Sequence, residues 1–199
     1  MPLRLTPPAD YLLARDLCSY GYFHLAPNHW DARALTYTTT LELDGAAVTL
    51  TVTQSGSPKA ATPPAKFDPD HSGPGTPGAA LVVKADRGLT QTQAAAAKAA
   101  LGRILRLNES AEHLAAFHEV DPRFARSGRG RLMRSATLFE DILKTVTSCN
   151  VTWPGTVNMN AKLCRVFGKK SPSGRHAYPT AARLARAHPA TLRARCGVG

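Results

Sequence analysis

Leu35, Tyr37, Leu41 and Leu43 alternate with polar neighbours, Asp44-Gly45 interrupts, and Val48, Leu50 and Val52 resume the alternation. A period of two puts these side chains on one face of a sheet, and Asp-Gly between two such runs predicts a hairpin, because primed turns need positive φ. The run Ala80 to Ala85 predicts a returning strand. Between them, residues Ser55 to Gly78 hold six prolines and four glycines, which predicts a mobile loop over residues 55–79.

From Thr90 the period lengthens. Thr90-Gln91-Thr92-Gln93 has capping-box spacing and predicts a helix to about Leu107. A second helix covers Ser110 to Val120, and Asp121-Pro122 breaks it ahead of the connector Arg126-Ser127-Gly128-Arg129-Gly130-Arg131. Thr137-Leu138-Phe139-Glu140 is another capping box, with Leu138, Phe139, Ile142, Leu143 and Val146 forming one apolar helix face. Pro154-Gly155 predicts a turn. The helix after it groups Met159, Leu163, Val166 and Phe167 and ends at Gly168, a C′ candidate. Pro179-Thr180 and Pro189 each open a short helix, the last ending near Gly197. The fold class is therefore α+β: a small antiparallel sheet domain over residues 1–90, then a helical bundle over residues 91–199. No internal repeat interrupts this order.

Charge changes the picture. From Ile142 to Gly199 there is no Asp or Glu, but there are ten Lys and Arg, which carry nearly all of the net +11. Such asymmetry is the footprint of a surface that meets a polyanion, nucleic acid first among them. Its plainer alternative is a solvated arginine-rich helix face. At 43% hydrophobic and 20% charged, the chain is ordinary globular material. It has no apolar run of membrane length and no signal-peptide core, which predicts a cytoplasmic protein without a membrane partner. Cys18, Cys149, Cys164 and Cys196 form no CxxC pair, so neither a metal nor a cofactor is expected, and the thiols are expected to be reduced and mostly buried.

The segment Leu138-Phe139-Glu140-Asp141-Ile142-Leu143-Lys144-Thr145-Val146-Thr147-Ser148-Cys149-Asn150, leading into Met159 to Gly168, resembles the start of the helical core of the helix-hairpin-helix DNA glycosylases. It is most similar to 8-oxoguanine DNA glycosylases and, more distantly, to DNA-3-methyladenine glycosylase II. The likeness continues through His176-Ala177-Tyr178-Pro179-Thr180 to the chain end. Upstream, Asp16 to Phe23, Trp30, the hairpin and Ile104-Leu105-Arg106-Leu107 resemble that family's sheet domain and its exit.

The resemblance implies base-excision repair, in which a damaged purine is flipped from duplex DNA and its N-glycosidic bond cleaved. It also implies a monomer acting on double-stranded DNA that contains the damaged base. Asn150 stands where the 8-oxoguanine branch places an Asn that fills the vacated space. An amide suits this, offering a donor and an acceptor to the orphaned base. Asn150 as a plain helix terminator is the other reading. The family has further Asn in this loop, where Val151, Thr152 and Trp153 stand here; Trp153 is either a stacking group or core.

The family's glycine-turn hairpin, nucleophilic Lys and essential Asp would align beyond Gly199, so no catalytic residue carries over and the helical bundle is expected to be truncated. Glu140 and Asp141 are catalytic candidates only by elimination, and Glu140 is already the expected cap partner of Thr137. His176 is either a pocket group or a structural His. Arg131, Arg134, Lys144, Lys162, Lys169, Lys170 and Arg175 are the candidate phosphate contacts. Three readings follow: an inactive piece of a glycosylase, a non-catalytic basic DNA-binding module, or a partly folded remnant that exposes the apolar face Leu138 to Val146.

Overall fold

The computed structural model describes residues 2–58 and 73–198. Residues 59–72 of the expected Pro/Gly loop lie outside the described residues. Five antiparallel strands form one sheet: β1 (Leu3–Leu5), β2 (His29–Asp31), β3 (Thr36–Leu43), β4 (Ala46–Gln54) and β5 (Leu81–Ala85), in the order β1-β5-β4-β3-β2. The β3–β4 hairpin pairs Tyr37 with Val52, Leu41 with Val48 and Leu43 with Ala46 across the Asp44-Gly45 turn, where both residues have positive φ. Leu35, expected in β3, instead precedes it at φ 51, although its side chain is buried. The edge strands β1 and β2 are three residues each, too short to show alternation.

The other face of the hairpin is threonine, and it is covered too. Thr40 and Thr49 share a 3.0 Å hydrogen bond, and Thr49 Oγ1 lies 2.7 Å from Ser171 Oγ and 2.8 Å from Ser173 Oγ. Asp86 accepts from the backbone N–H of Thr49 and of Ser173, so a loop from the C-terminal part of the chain is fastened to the sheet.

Helix α1 (Leu13–Leu17) and a 3-10 turn (Gly21–His24) precede β2. After β5 come α2 (Gln91–Ile104), α3 (Ala111–Val120), α4 (Leu138–Val146), α5 (Trp153–Phe167), α6 (Ala181–Ala185) and α7 (Pro189–Thr191), the last continuing as a π-helical turn over Leu192–Cys196. Both arms of the Thr90 capping box form. The core joins Tyr37, Leu50 and Val83 of the sheet to Leu17 of α1, Leu101 and Ile104 of α2, and Met133. The apolar core thus runs across residue 90.

Two local expectations change. Pro154-Gly155 is not a turn but part of the first turn of α5, where a proline leaves no intrahelical bond unmade. Helix α5 does end before Gly168, but that glycine has φ −78 and no left-handed need. A Cβ there would collide with the carbonyl oxygens of Ala177 and Cys164. Close approach of two backbone segments is what requires the glycine. No helix among the described residues is long and apolar enough to cross a membrane.

Candidate nucleic-acid interface

Helix α4 is amphipathic, but its charged side faces inward. Leu138, Ile142 and Val146 are 66%, 54% and 55% exposed, whereas Glu140 and Lys144 are buried. Thr137 caps the helix through the Glu140 N–H, yet the Glu140 carboxylate does not return the bond. It accepts from Lys144 Nζ at 2.6 Å, and that ammonium also reaches Ser135 Oγ at 3.2 Å. The rings of Tyr22 and Tyr178 flank it with centroids 5.5 and 5.4 Å away. A paired, ring-sheltered ammonium can occupy an interior that would reject a bare one.

Beyond α4 the chain makes a clamped turn. Thr147 N–H and Cys149 N–H donate to Leu143 and Val146 carbonyls, and Ser148 Oγ donates to the Thr145 carbonyl. From α5, Thr156 Oγ1 donates to the Thr147 carbonyl at 3.1 Å, while Asn160 Nδ2 donates to Thr147 Oγ1 at 2.9 Å. Asn160 is wholly buried, and its Oδ1 accepts from the Tyr178 hydroxyl at 2.8 Å. This network fixes Thr147; three residues on, Asn150 stands exposed at φ 55, with no protein partner for its amide among the described residues. Asn tolerates left-handed φ better than most residues, so the backbone alone explains part of the choice.

Beside Asn150 lies an aromatic ledge. Trp153 is 43% exposed and packs so closely over Gly21 that a Cβ there would sit 3.0 Å from Trp153 Cζ2. Tyr20, 41% exposed, meets Tyr22 in a tilted ring pair with centroids 4.6 Å apart, and the Tyr22 hydroxyl meets Thr145 Oγ1 at 3.1 Å. Trp153 therefore sits partly in solvent rather than in the core. Tyr20-Gly21-Tyr22 was visible as sequence, but nothing local shows that its glycine accepts a tryptophan from more than a hundred residues away.

The expected cations divide. Arg131 is 1% exposed, with its guanidinium 2.7 and 2.9 Å from the two oxygens of Asp10, beside the Arg15–Asp16 pair. Burial alone would raise the Asp10 carboxyl, but the Arg131 hydrogen bond and charge hold it below the ordinary range. Arg131 thus fastens the connector to the α1 end of the sheet and is not available to phosphate. Lys144 is withdrawn for the same reason. Arg134, Lys169, Lys170 and Arg175 are exposed, and Lys162 is half-buried. Lys169 Nζ bonds the Gly45 carbonyl, and Lys170 pairs with the half-buried His176 across a small bridge, so Lys169, Lys170 and Arg175 gather on the loop docked to the sheet.

Asp141 is engaged as well: Oδ2 accepts from Arg103 at 2.7 Å and Oδ1 from the Ser135 N–H at 2.7 Å. All four thiols are free, and burial pushes Cys18 up to about 12. Among the described residues, no three metal-ligating side chains converge.

No protein-family model and no curated protein matches the sequence. Solved structures do match its fold. The 3-methyladenine DNA glycosylase from Archaeoglobus fulgidus superposes over 99% of this chain with a TM-score of 0.70 at 20% identity. MBOgg1 in complex with a low-affinity DNA ligand covers 98% with a TM-score of 0.60 at 15% identity. The Clostridium acetobutylicum 8-oxoguanine glycosylase/lyase in complex with double-stranded DNA covers 91%, with a TM-score of 0.53 at 15% identity. The chain has the fold of the DNA glycosylases. It spans 62%, 58% and 55% of the lengths of these three structures.

Proposed function

We propose that this chain is the base-reading part of a base-excision-repair DNA glycosylase. It binds duplex DNA as a monomer around a damaged purine and holds the duplex open once the base has flipped. The observation that carries the reading is Asn150: exposed, left-handed, without a protein partner among the described residues, and three residues past a Thr147 fixed by a buried hydrogen-bond network. Its amide would occupy the vacated space, and the Tyr20–Trp153 ledge offers a neighbouring base a face on which to stack. The DNA-bound structures that share the fold support the same reading.

Cleavage of the N-glycosidic bond needs groups that stabilise positive charge on the sugar. Glu140 is committed to Lys144 and Asp141 to Arg103 and Ser135, so neither stands ready for a substrate. This favours a second reading for the chain acting by itself, a non-catalytic DNA-binding module. The reaction is proposed with a carboxylate other than these two.

Asn150→Gly tests the reading, because glycine keeps the left-handed backbone and removes only the amide. Affinity for a duplex containing 8-oxoguanine or an alkylated purine is expected to fall about tenfold, the loss of one to two good hydrogen bonds, with much less effect on undamaged duplex. Equal losses on both would remove Asn150 from lesion recognition. Release of free base by the purified chain would sink the non-catalytic reading.

A further inference from the structure

A cleft of about 500 Å³ lies between the end of α2 and the first turn of α3. Its lining includes Arg103, Arg106, Asn108, Glu109, His113 and Arg134. Arg106 has φ 57. Its N–H donates to the Arg103 carbonyl at 3.3 Å and the Leu107 N–H to the Gly102 carbonyl at 3.0 Å, the two bonds of a Schellman motif. The left-handed position of that motif ordinarily belongs to glycine, since a Cβ is strained there. Here it carries a long cation instead, whose Nε and Nη2 grip both oxygens of Glu109.

Arg103 is fixed equally firmly, with Nε on the Ser135 carbonyl at 3.1 Å and Nη2 on Asp141. In both arginines Nη1 has no protein partner among the described residues. The Arg134 N–H donates to the Ile104 carbonyl at 3.0 Å, which seats that residue at the rim. Its side chain is exposed and has no partner among the described residues. Three guanidinium groups thus face the cleft against two carboxylates, Glu109 and Asp141, both already used to aim two of them. The excess is one positive charge, with free N–H donors arranged around it.

We propose that this cleft seats one backbone phosphodiester of the bound DNA, with Arg106 and Arg134 as donors and Arg103 as their fixed neighbour. The proposal rests on the DNA-binding reading above and adds a second anchor to it. The first turn of α4, held by Arg103 through Asp141, lies six residues from Thr147, about 9 Å of helical rise. The proposal has the same strand reach Asn150 within a few nucleotides.

Arg106→Gly and Arg134→Gln test it, the first being a change the backbone itself favours. Binding of a fluorescent undamaged duplex is followed between about 50 and 200 mM salt. Each variant is expected to bind several-fold more weakly and to lower the slope of log K against log salt by about one. Arg106→Gly should melt no lower than the wild type, because relief of strain offsets loss of the Glu109 pair. Arg4→Gln on β1 removes the same charge elsewhere and should keep the slope. Cleft variants that match Arg4→Gln, while the wild type binds, overturn the phosphodiester site and leave the DNA-binding reading intact. If the wild type binds no duplex, that reading and the phosphodiester proposal both fail. Titration of inorganic phosphate, followed at the Arg106 Nε resonance, then assigns the cleft: a saturable shift lost in Arg134→Gln marks a free-phosphate site, and no shift rejects an anion site altogether.

Discussion

Tyr11 is wholly buried, and its hydroxyl has no hydrogen-bond partner among the described residues. Leaving such a group unmet costs about 1–3 kcal/mol. Tyr11→Phe is therefore expected to raise stability by about 1 kcal/mol, or roughly 2–4 °C in melting temperature for a chain of this size. A lower melting temperature would show that the hydroxyl is engaged. The same scale shows what single residues disclose in advance. The left-handed turn at Asn150 was readable because Asn is itself a signal for positive φ. Arg106 was not, because arginine carries no signal for left-handed φ and its strain is set by the chain around it. Gly168 was found for the wrong reason: the crowding by Ala177 comes from a segment nine residues on, and no local pattern records it.

Elements depend on how far their causes lie apart in the chain. The Thr90 capping box and the Asp-Gly hairpin are local, and both form as the spacing predicts. Helix α4 is different. Its periodicity is plain, but which side faces inward depends on Tyr22 and Tyr178, which shelter Lys144 from opposite ends of the chain. The loop holding Ser171 and Ser173 likewise meets the sheet through Asp86, a pairing no window of sequence contains.

Asp86 makes that docking pH-sensitive. Burial alone would raise its carboxyl, but hydrogen bonds from the Ser173 and Thr49 N–H groups outweigh this and hold it below its ordinary value. The unfolded state then binds the proton more readily. The contribution is complete above the unfolded value of about 4 and is lost as pH falls through the lower folded value. Asp86→Asn should lower stability at neutral pH by about 1 kcal/mol, since solvent screens much of the carboxylate. Its denaturation midpoint should also fall less steeply than that of the wild type in acid. Parallel pH profiles would show that Asp86 does not fasten the loop.

At the scale of the whole molecule, folding divides the basic residues that a count of cations would group together. Two of the seven basic candidates, Arg131 and Lys144, are spent inside, holding the connector and α4. Three more gather on the loop docked to the sheet. What faces outward near the end of α4 is Asn150, Trp153 and Tyr20, with the exposed apolar stripe of Leu138, Ile142 and Val146 along the helix that leads there.

The most direct test of the central claim places 2-aminopurine beside a lesion in a duplex and records its fluorescence as the purified chain is added, with binding followed by anisotropy in the same sample. The account predicts fluorescence that rises with occupancy, because a base is unstacked and the space held open. Full binding with unchanged fluorescence would contradict it, leaving a chain that grips the backbone and reads no base.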